Sequence, residues 1–313
     1  ANRCVSAQTK LIASLTAGTP SPSPSVSASS SPPAPSPSVS PSVSPSASPT
    51  PSPPPPGPQL NCAADPGRCG YPTPATTGVR AGSVLTPYTG DYYVLAANTT
   101  VQNMDINGCI WIHAPGTVIV NTRVRVADRC FYGISTYDAG GTTIIDQVEV
   151  VCNYAHGSAL AGPNFKASRV WLHACENGAE INGGSSIVDS VIQGSEQGSP
   201  YDPHGDGIQS QGGNGVVIRH NTLLQINPVS AAIITNPTAN NAWIVEGNFL
   251  GGGAYTLYCP EQGTNFAVRD NRFVRAKTGT LYSAAYGLTD ACGHSGIAWS
   301  NNTYDDNGLP AGP

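Results

Sequence analysis

Tyr201, Asp202, His204, Asp206, Gln209 and Gln211 fall in one short run, YDPHGDGIQSQ, the densest set of chemically capable side chains in the sequence. A phenol, an imidazole and two carboxyls within six residues can accept, donate and relay protons. A polar turn leading into a strand needs fewer such groups, because one Asp or Asn suffices for its local hydrogen bonds. The run is therefore read as a catalytic or binding wall, with His204 as general base and Tyr201 as acid or alternative base. Strand alternation adds a constraint. If Ile208 points inward, Gln209 points outward and Asp206 falls on the side of Ile208. An unpaired buried carboxylate is costly. Either the chain bends at Gly205–Gly207 and exposes Asp206, or Asp206 sits in a perturbed environment; both suit an acid or base.

Such a wall has to be held by regular structure, and the sequence repeats around it. Short β-rich phrases with an apolar centre are anchored at Ile112, Ile134, Leu160, Ile181, Ile208, Ile233, Leu257 and Leu288, in steps of 22, 26, 21, 27, 25, 24 and 31 residues. A second series lies between them: TVIVNTRVRV, TTIIDQVEVV, ASRVWLHAC, SSIVDSVIQG, GVVIRHNTLL, NAWIVEGNFL and NFAVRDNRFV. At least two strands per period of about 25 residues is a solenoid signature. No 3.6-residue pattern is sustained, which argues against a βαβ barrel. Leucine-rich spacing is absent, and a propeller blade would need about 40 residues and four strands. The predicted fold is all-β, a right-handed parallel β-helix of about eight or nine coils over residues 59–313. Long loops are expected around Gln193–Asp202 and Ala276–Ser283. The interior of such a solenoid is packed, so function belongs on an outer face, which suits an extended polymer.

The cysteines support this register independently. Of nine, Cys109, Cys130, Cys152 and Cys175 are separated by 21, 22 and 23 residues, about one coil each. Strands stack about 4.8 Å apart, and a disulfide needs Cα atoms about 4.4–6.8 Å apart. The expected pairs are Cys109–Cys130, Cys152–Cys175, Cys62–Cys69 around the loop AADPGR, and Cys259–Cys292; Cys4 is left over. Disulfides imply an oxidising, extracellular compartment.

Neighbouring coils should add groups to the wall. Matching Ile181 to Ile208 stacks Asn182 on Gln209 and brings Glu180 and Glu176 nearby. His156 lies one coil earlier still. Tyr255 and Tyr258 lie beyond, as rings that can stack on sugar faces. Trp111 and His113 alternate with Ile110 and Ile112 and are expected outward, as a distal binding subsite. Asp202, Asp206, Glu180 and Glu176 offer the oxygens that a Ca²⁺ ion would want. Trp171 and His173 lie on another strand and are read as structural. Asn221, Asn248 and Asn271 are expected to stack as a ladder at the turns.

Composition bounds the rest. Fourteen basic and 19 acidic residues give a formal charge of -5, without the basic field that neutralises phosphates. No apolar run approaches the roughly 20 residues needed to cross a bilayer. Neither nucleic acid nor membrane is therefore an expected partner. Residues 19–58 are almost purely Ser, Pro, Ala, Val and Thr, a composition that favours a disordered, extended linker. Residues 1–18 are too few for a domain and read as the tail of a truncated module, and a targeting segment is expected to have been removed before Ala1. The linker resembles those that join carbohydrate-binding modules to secreted bacterial polysaccharide-degrading enzymes.

Residues 97–308 resemble the pectate-lyase-like superfamily of right-handed parallel β-helix proteins. YDPHGD is also similar to the Tyr/Asp-Pro-His-Asp motif of mannuronan C5-epimerases, although Tyr201 directly precedes Asp202 and Gly205 interrupts the run. The resemblance implies catalytic roles for Asp202, His204 and Tyr201, and a secreted monomer acting on an extended polysaccharide. The leading expectation is a lyase that cleaves a uronate-containing glycan by β-elimination. His204 would be the base, with Asp206, Asp202, Gln209, Asn182 or Ca²⁺ neutralising the developing charge. No organic cofactor is expected. The alternatives are a glycoside hydrolase using Asp206 and Glu180, a C5-epimerase, or a non-catalytic glycan-binding protein.

Overall fold

The computed structural model describes residues 62–152, 157–194, 204–226, 228–235, 239–275 and 282–313. All belong to one compact unit, Pro54–Pro313. The N-terminal tail with Cys4, the Ser/Pro tract, His156, Tyr201, Asp202 and most of both expected loops lie outside the described residues.

The described chain is all-β. Its strands alternate regularly among three parallel sheets, so the backbone winds into a solenoid. Sheet A has ten strands and begins with Thr86–Thr89; sheets B and C have nine each and begin with Tyr92–Val94 and Thr100–Gln102. A fourth, two-stranded sheet pairs Gly213–Asn214 with Asn240–Asn241.

Each sheet stacks like residues on one another. On sheet B, Ile110, Ile134, Leu160, Ala179, Ile208, Ile233 and Leu257 align strand by strand and are all buried. On sheet C the matching row is Val101, Ile119, Ile145, Ala167, Ile187, Ile218, Val245 and Val268. Branched side chains suit this packing because their stiff rotamers fit a pleated surface. Burying each Ile contributes about 2 kcal/mol.

The sheet B row corrects the expected register. Ile134 pairs with Ile110 rather than Ile112, Leu160 and Ile208 flank Ala179 rather than Ile181, and Leu257 faces Thr289 rather than Leu288. The first two slips are of two residues and keep every side chain on its own face, so alternation cannot detect them; the last is of one residue and sets Thr289 rather than Leu288 opposite Leu257. Ile112 and Ile181 are buried as well. The site consequence is direct: Gln209 stacks on Glu180, not on Asn182.

Asparagines close the corners between sheets C and A. The backbone N–H groups of Ser190, Asn221, Asn248 and Asn271 each donate to the side-chain oxygen of Asn221, Asn248, Asn271 and Asn302 in turn, at 2.9–3.0 Å. The expected ladder is present, and it extends to Asn302. Before each rung the chain takes a left-handed turn, with φ of 50° at His220, 56° at Asp270 and 54° at Asn301.

All four expected disulfides form, with Cα separations of 6.1 Å for Cys109–Cys130 and 4.8 Å for Cys152–Cys175. Ahead of the first strand, the chain runs back along the solenoid beside sheet A. Ala63 N–H reaches Asp305, Tyr71 stacks on Phe249 at 5.1 Å, Thr222 donates to the Pro72 carbonyl, and Gly78 N–H reaches the Arg169 carbonyl. This strap occupies the side of sheet A and stays off sheet B, which carries the candidate site. Among the described residues, no helix is long and apolar enough to cross a membrane.

Candidate active site on sheet B

One outward row of sheet B runs Tyr93, Trp111, Ser135, Ala161, Glu180, Gln209, Ile234, Tyr258 and Asp290 in register. A second outer row precedes it. At Gly207 an added Cβ would meet the Leu223 side chain and the Ala232 carbonyl, so Gly207 faces the interior beside Ile208. Two consecutive inward residues mean that the strand bends there, but the bend does not expose Asp206 as expected. Asp206 is set against the next coil and stays 4% exposed. Its Oδ1 accepts the Ala231 N–H at 2.6 Å, and its own N–H donates to Asn177 Oδ1 at 3.1 Å.

The same bend makes side chains of the two rows converge from one coil to the next. Ser158 Oγ donates to Glu180 Oε1 at 2.7 Å, and Asn177 Nδ2 donates to Gln209 Oε1 at 3.1 Å. Tyr132, one coil before Ser158, reaches Glu180 Oε2 at 3.5 Å. Tyr137 also hydrogen-bonds Glu180 from just beyond that strand, and its ring lies 5.6 Å from that of Tyr132. Ala161 lies between Ser135 and Glu180 in the outward row.

Glu180 is thus a buried carboxyl with three hydroxyl donors. Burial raises its pKa; the hydrogen bonds from Ser158, Tyr132 and Tyr137 oppose this without cancelling it. Burial also pushes the Tyr132 and Tyr137 phenols upward, reinforced by the charge on Glu180. Both phenols therefore remain protonated donors, and the raised pKa of Glu180 favours its acid form.

The other expected residues divide. His204 is exposed at the edge of the cluster. Gln209 belongs to it. Asn182 is half-buried two residues past Glu180, its Oδ1 without a partner among the described residues. Tyr258 packs edge-on against Tyr255 at 5.3 Å, and Tyr255 lies 5.9 Å from Tyr286. Trp111 and His113 lie on sheet B toward its first strand. Glu176 accepts the Gly157 N–H at 3.1 Å. Trp171 and His173 lie on sheet A, stacked at 3.9 Å, with His173 against Glu149 at 3.3 Å, as befits the structural reading.

A cation site does not emerge among the described residues: Glu176, Glu180 and Asp206 form no convergent group of ligand atoms. The one convergent trio, Asp91 with Cys109 and Cys130, has both sulfurs spent in a disulfide.

Sequence reasoning missed Tyr132, Tyr137, Ser158 and Asn177. A signal was present in FYGISTYD, where two tyrosines straddle an anchor, but their common target lies 43 and 48 residues away.

Comparison with known proteins adds no precedent. No family model matches the chain, and no curated protein or solved structure matches it. The site is read from its own chemistry.

Proposed function

We propose that the chain is a secreted, glycan-active right-handed parallel β-helix of about eight or nine coils, resembling the pectate-lyase-like superfamily, and that it hydrolyses an extended neutral polysaccharide laid along sheet B. The four disulfides support an oxidising compartment. The observation that carries the reaction is Glu180, a buried carboxyl with a raised pKa on an outer face flanked by aromatic rings.

Glycosidic hydrolysis needs one protonated carboxyl to donate to the leaving oxygen and a second carboxylate to activate water or attack. Glu180 fits the first role. Asp206 fits the second: its carboxylate is oriented by the Ala231 N–H, and Tyr258 feels its charge. Their register, three residues apart on adjacent strands, separates their Cα atoms by on the order of 10 Å. The separation of the carboxyl groups themselves decides between inversion and retention at the anomeric carbon.

Hydrolysis of a neutral chain is favoured over β-elimination by charge. A polyuronate brings a carboxylate on each acidic sugar. The strands of sheet B contain no Lys or Arg, while Glu180 and Asp290 lie on its outer row. The arginines serve elsewhere: Arg123 and Arg125 pair with Asp105 and Glu149 on sheet A, and Arg219 and Arg269 share Glu246 on sheet C.

A panel of neutral and acidic polysaccharides, with and without calcium, tests the reading by mass spectrometry of the products. Hydrated fragments from a neutral glycan are expected. Unsaturated uronate products would restore the lyase. In that case His204→Ala should lower turnover by about 10²–10⁴, whereas hydrolysis by Glu180 and Asp206 leaves the His204 variant active.

A further inference from the structure

Toward the first strand of sheet B, a second group of side chains has no part in the chemistry just described. Tyr93 and Trp111 occupy matching positions on adjacent strands. The Tyr93 ring stacks with that of His113 at 6.2 Å and 13°. His113 Nδ1 lies 3.6 Å from Asp138 Oδ2. Tyr93 is 55% exposed, so its ring contributes little to packing, and His113 is exposed as well.

We infer that Tyr93, Trp111, His113 and Asp138 form a distal sugar-binding subsite that holds a neutral glycan several units from the bond that is cut. The class of ligand follows from the chemistry. Flat rings in register offer surface to the C–H face of a pyranose, and the imidazole–carboxylate pair at their edge offers both donors and acceptors to its hydroxyls. Nothing in the group favours a polyanion, because it holds no Lys or Arg and it carries the Asp138 carboxyl.

Position supplies the second argument. Trp111 and Tyr93 share the outward row of Glu180, three and four strands away through Ser135 and Ala161. At about 4.8 Å per strand these are distances of about 14 and 19 Å. A chain along the sheet therefore crosses about three strand spacings between Glu180 and Trp111. On the far side, Tyr258 lies three strands from Glu180 through Gln209 and Ile234. Aromatic residues thus stand at equal reach on both sides of the acid. A substrate held at both ends is cut internally, so the enzyme releases oligosaccharides of mixed length rather than single sugars. This mode of action rests on the hydrolase reading; the subsite does not.

The experiment titrates neutral β-linked gluco-, xylo- and manno-oligosaccharides, from disaccharide to octasaccharide, into the intact protein carrying Glu180→Gln, by calorimetry. Affinity for the bound series is expected to step upward once the chain is long enough to reach Trp111. Adding Trp111→Ala should cost roughly tenfold on the long members and nothing on the short ones. Tyr93→Ala, at an exposed ring, repeats the test without risk to the fold. Unchanged long-chain affinity in both variants overturns the subsite, as does a protein that binds none of the series. The two readings separate: length-dependent loss without hydrolysis by the unsubstituted protein keeps the subsite and removes the hydrolase, and hydrolysis with unchanged affinities does the reverse.

Discussion

On the proposed hydrolase reading, Ser158→Ala should move the pH range of turnover. The substitution removes one hydroxyl and little volume, and it deletes the shortest hydrogen bond to the Glu180 carboxyl, 2.7 Å from Ser158 Oγ to Glu180 Oε1. Ser158 is 1% exposed and Glu180 7% exposed, so water does not replace the lost donor. The donor favours the ionised carboxylate, and its loss favours the acid. A hydrogen bond to a charged group contributes about 1.5–3 kcal/mol. At about 1.4 kcal/mol per pH unit, the alkaline limb of the rate profile should shift upward by about one to two units. Tyr132→Phe removes a longer bond, 3.5 Å, and should shift the limb in the same direction by less. The assay is kcat/KM against pH on the glycan that the protein hydrolyses. An alkaline limb that stays in place in Ser158→Ala, or moves to lower pH, would refute Glu180 as the proton donor. A variant that loses stability but keeps its profile would assign the cluster to packing alone.

Three further outcomes are expected. The raised pKa of Glu180 means that the folded state holds its proton more tightly than the unfolded chain, so this group's contribution is complete below the ordinary glutamate pKa and fades as pH rises through the raised value; Glu180→Gln should therefore gain stability relative to the native protein over that rise, read from urea midpoints, and an unchanged difference would contradict the burial argument. Asn248→Ala strips a partner from the Asn221 N–H, the Asn221 amide and the Ile218 carbonyl, all buried, and should cost at least about 3 kcal/mol in urea unfolding at about 1–3 kcal/mol per orphaned group; a loss under 1 kcal/mol, roughly the worth of one ordinary hydrogen bond, would show that the ladder is not cooperative. Replacing Cys152 and Cys175 together by Ala opens a 23-residue loop and should lower stability by about 3 kcal/mol on the loop-entropy relation, measured by calorimetry under non-reducing conditions.

The solenoid was legible in the sequence because its determinants are local and periodic. Apolar anchors such as Ile134, Leu160 and Ile208 recur at coil length, and strand pairing turns that period into stacking. The cysteine spacings carry the same information in covalent form, since a one-coil separation already satisfies disulfide geometry. The ladder at Asn221, Asn248 and Asn271 could be anticipated from the places of these residues at the turns. The density of polar groups around His204 and Asp206 marks one strand of sheet B, and Glu180 lies on the strand beside it.

Register and the contents of the site were decided by the tertiary structure. A strand repeats every two residues, so pairing Leu160 with Ala179 or with Ile181 leaves the same pattern of inward and outward side chains, and only the packing of whole coils selects one. That choice put Glu180 rather than Asn182 against Gln209. The bend at Gly207 depends on Leu223 and Ala232, and it sets Asp206 against the Ala231 backbone, a contact between residues 25 apart. Tyr132 and Tyr137 look like ordinary strand-edge aromatics in the sequence. They come to Glu180 because the solenoid stacks their strand two steps before its own. Residue types and repeat length are written along the chain. The acidity of Glu180 belongs to groups brought to it from two other coils, and folding alone brings them together.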